Sequence, residues 1–214
     1  MPAISPDATC LICKGKYSEK GMTRHLSSCI PKHLKPVKPA AKPQIQRFFH
    51  LQVRGRYLPG YWLHLKVAGD ARLGDLDAFL RNIWLECCGH LSAFSLGSTE
   101  IKMTREIRHI LGLGMEMLHE YDFGSATELI IKAVKLYDVA MPKNEPIQIL
   151  SQNEPPEISC KVCGKFPAVE ICSECQWDDR GWLCQGCAET HECGEEMMLP
   201  VVNSPRVGVC GYTG

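Results

Sequence analysis

The chain has 214 residues, of which 45% are hydrophobic and 22% charged, and its 24 Lys/Arg balance 24 Asp/Glu. That length accommodates one large domain or two to three small ones, and a net charge of zero selects no class of partner. No run approaches the ~20 apolar residues that span a bilayer, which excludes a helical membrane protein.

The charge is unevenly placed. Residues 1–47 hold nine Lys/Arg against two Asp/Glu, residues 48–150 eleven against twelve, and residues 151–214 four against ten. A basic front favours phosphate backbones and an acidic back repels them. The chain also has 13 cysteines. Met1–Cys10 lacks the basic and apolar regions of a secretory signal. The expectation is a cytoplasmic, reducing setting, where paired Cys-x-x-Cys spacings point to metal rather than to disulfides.

The first element is Cys10-x2-Cys13-x11-His25-x3-Cys29. The last gap puts His25 and Cys29 on one helical face, one turn apart. Residues 1–30 resemble the Cys2His2 class of zinc finger, with Cys29 in the place of the last His. About 20 residues cannot bury a core, so the segment needs its ion to fold. Lys14, Lys16, Lys20 and Arg24 make it basic. DNA or RNA is thus a candidate partner for residues 1–46, although a lone finger covers only about 3 base pairs and single fingers also contact proteins.

Residues 31–46 read as a linker. Pro31, Pro36, Pro39 and Pro43 alternate with Lys32, Lys35, Lys38 and Lys42. Such a segment is extended and semi-rigid, with a reach of roughly 50 Å.

Residues 47–140 read as an α+β domain, a small mixed sheet with packed helices. Phe48, Leu51 and Val53 lie in a strand ended by Gly55, and Leu63, Leu65 and Val67 share one face of a second. Leu73, Leu76, Leu80, Ile83 and Trp84 recur at helical steps. Leu91–Leu96 returns to strand, and a helical turn is expected near Met103–Leu111. Met115–Tyr121 and Thr127–Leu136 form a hairpin whose turn is Asp122-Phe-Gly124-Ser125, with Gly124 supplying the positive φ.

Pro59-Gly-Tyr-Trp62, Gly89-His90-Leu91-Ser-Ala-Phe94 and His119-Glu-Tyr121-Asp122-Phe123-Gly124 are similar to motifs of the plasmid pRiA4b ORF-3-like family. The resemblance covers about residues 46–140 and implies a mixed sheet with helices and an association with mobile elements. Leu63 stands where that family usually has Arg after the Trp. Ser125-Ala126-Thr127-Glu128-Leu129 replaces its usual Asp-x-Trp-x-His continuation, so any site made by those residues is missing.

His90, His119 and Asp122 are the residues from which a metal-assisted enzyme would be built. The plainer reading is that His90 satisfies a core hydrogen bond and Asp122 caps its turn. No catalytic motif accompanies them, and the expectation is a protein that is not an enzyme. Cys87-Cys88 reads as core packing.

Residues 141–159, with Pro142, Pro146, Pro155 and Pro156, read as a second linker. Beyond it, Cys160-x2-Cys163, Cys172-x2-Cys175, Cys184-x2-Cys187 and His191-x-Cys193 offer eight donors. Zn²⁺ takes four such ligands in a tetrahedron, so residues 160–214 hold two ions and the whole chain about three, all closed and structural. The even ladder resembles the cross-brace modules of the ZZ and MYND classes. On that pattern Cys160, Cys163, Cys184 and Cys187 share one ion, and Cys172, Cys175, His191 and Cys193 the other. Sequential pairing is the alternative, and the short last gap lets Cys210 stand in for Cys193. The acidic surface of this module suits a protein partner. Together these readings describe a zinc-binding interaction protein, nucleic-acid-associated through its basic finger.

Overall fold

The structure is a computed structural model, and it describes residues 7–33, 46–139, 146–155 and 157–214. It opens with β1 (Asp7–Thr9), β2 (Lys16–Ser18) and α1 (Glu19–His33). The Ser18 hydroxyl accepts the Gly21 N–H at 3.3 Å, a start signal for the helix. Met22, Leu26, Cys29 and Ile30 give α1 one buried stripe. Pro31 lies inside the last turn and cannot donate to the Ser27 carbonyl, which instead accepts the Lys135 ammonium at 3.3 Å. The helix therefore carries on through Pro31 to His33. Of the expected linker 31–46, residues 34–45 lie outside the described residues.

The centre holds β3 (Gln46–Gly55), β4 (Trp62–Ala68), α2 (Leu73–Leu80), β5 (Ser92–Leu96), β6 (Thr99–Ile101), β7 (Glu116–Tyr121), β8 (Thr127–Val139) and β9 (Ile147–Gln152). They form a seven-stranded sheet in the order β6-β5-β7-β8-β3-β4-β9, and every pairing in it is antiparallel. The α+β class holds; the sheet is a single large antiparallel one. Helix α2 ends in a π-helical turn, Arg81–Leu85, and a 3-10 turn covers Ile107–His109.

The second linker is corrected in part. Residues 147–152 are an edge strand on β4, because Ile147, Ile149 and Leu150 give this Pro-flanked stretch apolar residues to place on the sheet. Residues 140–145 and 156 are not among those described.

Each face of the sheet is covered by a different layer. Phe49, Leu51 and Val53 of β3, with Leu63, Leu65 and Val67 of β4, pack in one core with Leu73, Leu76, Leu80 and Trp84. Phe48, Trp62, Tyr137 and Leu150 pack instead with Met22, Leu26, Cys29 and Ile30 of the finger. Alternation along the strands sends neighbours to opposite faces, and both faces are apolar. The finger is docked: the Leu11 N–H reaches the Leu150 carbonyl at 2.8 Å and Ser151 Oγ reaches the Thr9 carbonyl at 3.0 Å.

The C-terminal module comprises β10 (Glu170–Cys172), β11 (Trp182–Leu183), α3 (Gln185–Ala188) and β12 (Met198–Pro200), with a three-stranded sheet in the order β11-β10-β12. Its Ile158, Ala168, Ile171 and Trp182 belong to the central core, as does Val207 of the tail. No helix of the described residues is long and apolar enough to cross a membrane.

Candidate metal centres

The finger site is built on a tight knuckle between β1 and β2. The Lys14 N–H donates to the Cys10 carbonyl at 2.8 Å with Lys14 at φ +66°, which turns both thiols inward. His25 and Cys29 enter from α1. The ligand atoms of Cys10, Cys13, His25 and Cys29 all lie within 4.8 Å of one another. Cys13 Sγ is 3.2 Å from His25 Nε2, and the Tyr17 ring stacks on the imidazole at 4.0 Å. Burial, with Cys10 beside it, pushes the Cys29 thiol up to about 12. Thiols packed this closely ionise together only when a cation shares them.

The same knuckle recurs at Cys160, where the Gly164 N–H donates to the Cys160 carbonyl at 2.9 Å with Gly164 at φ +65°. Cys184 precedes α3 and Cys187 sits in its single turn. Cys160, Cys163, Cys184 and Cys187 converge, with Cys163 and Cys184 sulfurs 3.7 Å apart. Cys172 at the end of β10 and Cys175 after it meet His191 and Cys193, with Cys175 and Cys193 sulfurs 3.6 Å apart. The fold thus joins the first pair to the third and the second to the fourth, which is the interleaved arrangement and not the sequential one. Hydrogen bonding among neighbouring thiols pushes Cys187 and Cys193 up to about 12.

Cys210 does not stand in for Cys193. It lies with Cys87, Cys88 and His90, their ligand atoms again within 4.8 Å of one another. Cys87 is half-buried and packs against the central core, as expected, but Cys88 is exposed and does not. Only the tertiary fold brings Cys210 to this place, and no local spacing announces it.

The expected His90, His119 and Asp122 set divides. His119 is fully buried on β7, where its Nε2 meets Asp77 Oδ1 at 2.8 Å. Burial alone would raise Asp77, but the hydrogen bonds from His119 and Ser92 leave it below its ordinary value. His90 precedes β5 and is part-exposed, not a core histidine. Its Nε2 is 3.3 Å from Cys210 Sγ and its Nδ1 is 3.6 Å from Asp122 Oδ1. Among the described residues no hydrogen bond or ion pair joins His119 to either of the other two.

Asp122 does cap its turn, accepting the Gly124 and Ser125 N–H groups at 3.1 and 3.3 Å. The positive φ, +66°, falls on Asp122 itself and not on Gly124. The fully buried guanidinium of Arg206 donates to Asp122 Oδ2 at 2.7 Å and holds that carboxyl below the usual range.

A histidine pair went unread in the sequence. His50 of β3 and His64 of β4 are both fully buried beneath α1, where the Thr23 hydroxyl lies 3.4 Å from His64 Nε2. Burial pulls His50 down to about 4 and His64 well below its ordinary value.

No family model matches the chain, and no curated protein matches it. A solved structure, the protein of unknown function MM3350 from Methanosarcina mazei Go1, is similar to this chain with a TM-score of 0.45 and 14% identity, over 51% of this chain and 70% of that one.

Proposed function

We propose that the chain is a zinc-stabilised binding protein that contacts nucleic acid through its finger. Three structural Zn²⁺ ions are held by Cys10, Cys13, His25 and Cys29, by Cys160, Cys163, Cys184 and Cys187, and by Cys172, Cys175, His191 and Cys193. The donor sets support zinc, since thiolate-rich tetrahedral sites with at most one imidazole suit it. The observation that carries the nucleic-acid reading is the docking of α1. By burying Met22, Leu26, Cys29 and Ile30 on the sheet, the helix leaves Lys20, Arg24 and Lys32 exposed beside Lys14 and Lys16. A rigid basic face of this kind attracts phosphates and discriminates little by sequence.

The test is titration with duplex DNA and single-stranded RNA at several salt concentrations. Affinity should fall as salt rises, and Lys20→Glu with Arg24→Glu should flatten the slope by about 2 in log–log terms. Absence of binding at low salt would refute this role for the finger.

Protein contact through residues 160–214 is favoured by a separate observation. A cavity of about 530 Å³ lies between the module and the sheet, lined by Tyr57, Leu58, Trp177, Trp182 and Val207, with Trp177 75% exposed. Selection of displayed peptides on the full chain, counter-selected on Trp177→Ala, should enrich binders that the variant loses; no enrichment would remove this reading. For residues 46–140 we propose membership of the pRiA4b ORF-3-like family. In support, strand β4 with Trp62, helix α2, strand β5 and the 122–125 turn follow in the order that the resemblance implies.

A further inference from the structure

We propose that Cys87, Cys88, His90 and Cys210 bind a fourth ion, a thiophilic divalent metal of the zinc class, which latches the C-terminal tail to the central sheet. A tetrahedral zinc site with Zn–S near 2.3 Å has ligand–ligand edges of about 3.8 Å. His90 Nε2 and Cys210 Sγ are 3.3 Å apart, and all four ligand atoms fall within the same 4.8 Å limit as in the other three groups. With this group included, the four groups take in all 13 cysteines of the chain.

The surroundings are those of a metal site. A ligating histidine is usually steered by a carboxylate at its second ring nitrogen. His90 turns Nε2 towards Cys210 and Nδ1 towards Asp122, at an ion-pair separation of 3.6 Å. Three thiolates and a neutral imidazole on a divalent ion leave one net negative charge. The Arg206 guanidinium lies on that charge, donating from Nη2 to Cys87 Sγ at 3.4 Å and to Asp122 Oδ2 at 2.7 Å. The fully buried Arg206 thus has a cationic task on the protein side of the cluster.

The ligands come from two loops set by unusual backbone. The π-helical turn Arg81–Leu85 delivers Cys87 and Cys88, and Ser204 Oγ fastens the tail to that turn through the Trp84 carbonyl at 2.6 Å. Gly89 at φ +74° lets the chain reverse between Cys88 and His90. Cys210 itself is at φ +52°, an uncommon conformation for a residue with a Cβ, which a bond to metal through its sulfur would hold.

The test uses the full chain, loaded with ZnCl₂ under a phosphine reductant, freed of loose metal, and analysed for bound metal and for alkylation by iodoacetamide. The expected count is about four ions in the wild type and one fewer in Cys88→Ser with Cys210→Ser, in keeping with four ligand groups. Cys88 and Cys210, exposed in the fold, should resist alkylation until a chelator is added. This second readout needs no variant and stands even if the double substitution fails to fold. Full alkylation of both residues in the metal-loaded wild type, with a count that the variant leaves unchanged, would overturn the proposal. A count below three with Cys88 and Cys210 protected would refute the ions assigned to the end modules and leave this one; a low count with both alkylated would refute both.

Discussion

His50 Nε2 and His64 Nδ1 lie 2.8 Å apart on the face of the sheet that α1 covers, both fully buried. One of the two nitrogens donates and the other accepts, which requires the facing nitrogen of the acceptor to be unprotonated. The pairing between β3 and β4 is regular, whereas β8 beside His50 and β9 beside His64 each insert one extra residue and bend there.

This pair makes stability fall in acid. The folded state keeps His50 neutral down to about pH 4, whereas the unfolded chain takes up its proton near 6.5. The contribution is complete above 6.5 and is lost as pH falls from 6.5 towards 4. Between pH 7 and 5, His50 alone should remove about 2 kcal/mol of unfolding free energy. Urea midpoints in zinc-saturated buffer at those pH values should show a smaller drop for His50→Gln than for the wild type. Equal drops would mean that His50 titrates in the fold much as it does unfolded.

Arg206 and Asp122 form a further buried pair, at 0% and 6% exposure. Arg206 also donates to the Ser125 carbonyl and Thr127 Oγ1, and stacks 4.8 Å from the Tyr121 ring centre. Removing one member leaves an uncompensated buried charge, so Arg206→Met should cost about 3–5 kcal/mol. Arg206→Met with Asp122→Asn should cost less than the sum of the single changes. A double-mutant cycle in denaturant measures that difference, and additivity would mean the pair is not coupled.

The Cys/His clusters at the two ends were legible because their members sit close together in sequence. A Cys-x-x-Cys knuckle is a local turn, and the regular gaps between pairs announce the interleaved weave. The hairpin turn at Asp122 was legible for the same reason. Docking of the finger was not, because Phe48, Trp62 and Tyr137 gain their meaning only when α1 lies on them. Reading Leu63, Leu65 and Val67 as the buried face of β4 was right, but Trp62 and His64 on the other face are also covered. Strand β9 was hidden by the prolines beside it. Cys210 meets His90 across 120 positions of chain, a distance at which spacing carries no information.

Gly181 is the close-packed point of the C-terminal module. A Cβ there would stand 2.5 Å from the Gln176 nitrogen and 2.7 Å from the Cys172 carbonyl oxygen, while the Gly181 carbonyl accepts the Cys172 N–H at 2.8 Å. The neighbours are backbone and cannot swing aside. Gly181→Ala should therefore spread the loop carrying Cys172 and Cys175, costing about 1–3 kcal/mol. Chelator competition should then extract metal from this module faster than from the wild type, with the finger unchanged. Equal extraction rates would show that the loop absorbs the methyl group.

Metal removal should also undock the finger. About 25 residues around one ion have too little core to keep α1 folded without it. The sheet face beneath α1 would then be uncovered, including Trp62, which is 1% exposed in the fold. Chelation should red-shift the tryptophan emission, and the part of that shift due to Trp62 should vanish in Trp62→Phe. Leu26→Ala, which empties the centre of the same contact, should cost about 2–5 kcal/mol and bring the shift to lower chelator concentration. A red shift of the same size in Trp62→Phe would mean that the finger stays on the sheet without its ion, held by Met22, Leu26 and Ile30 alone.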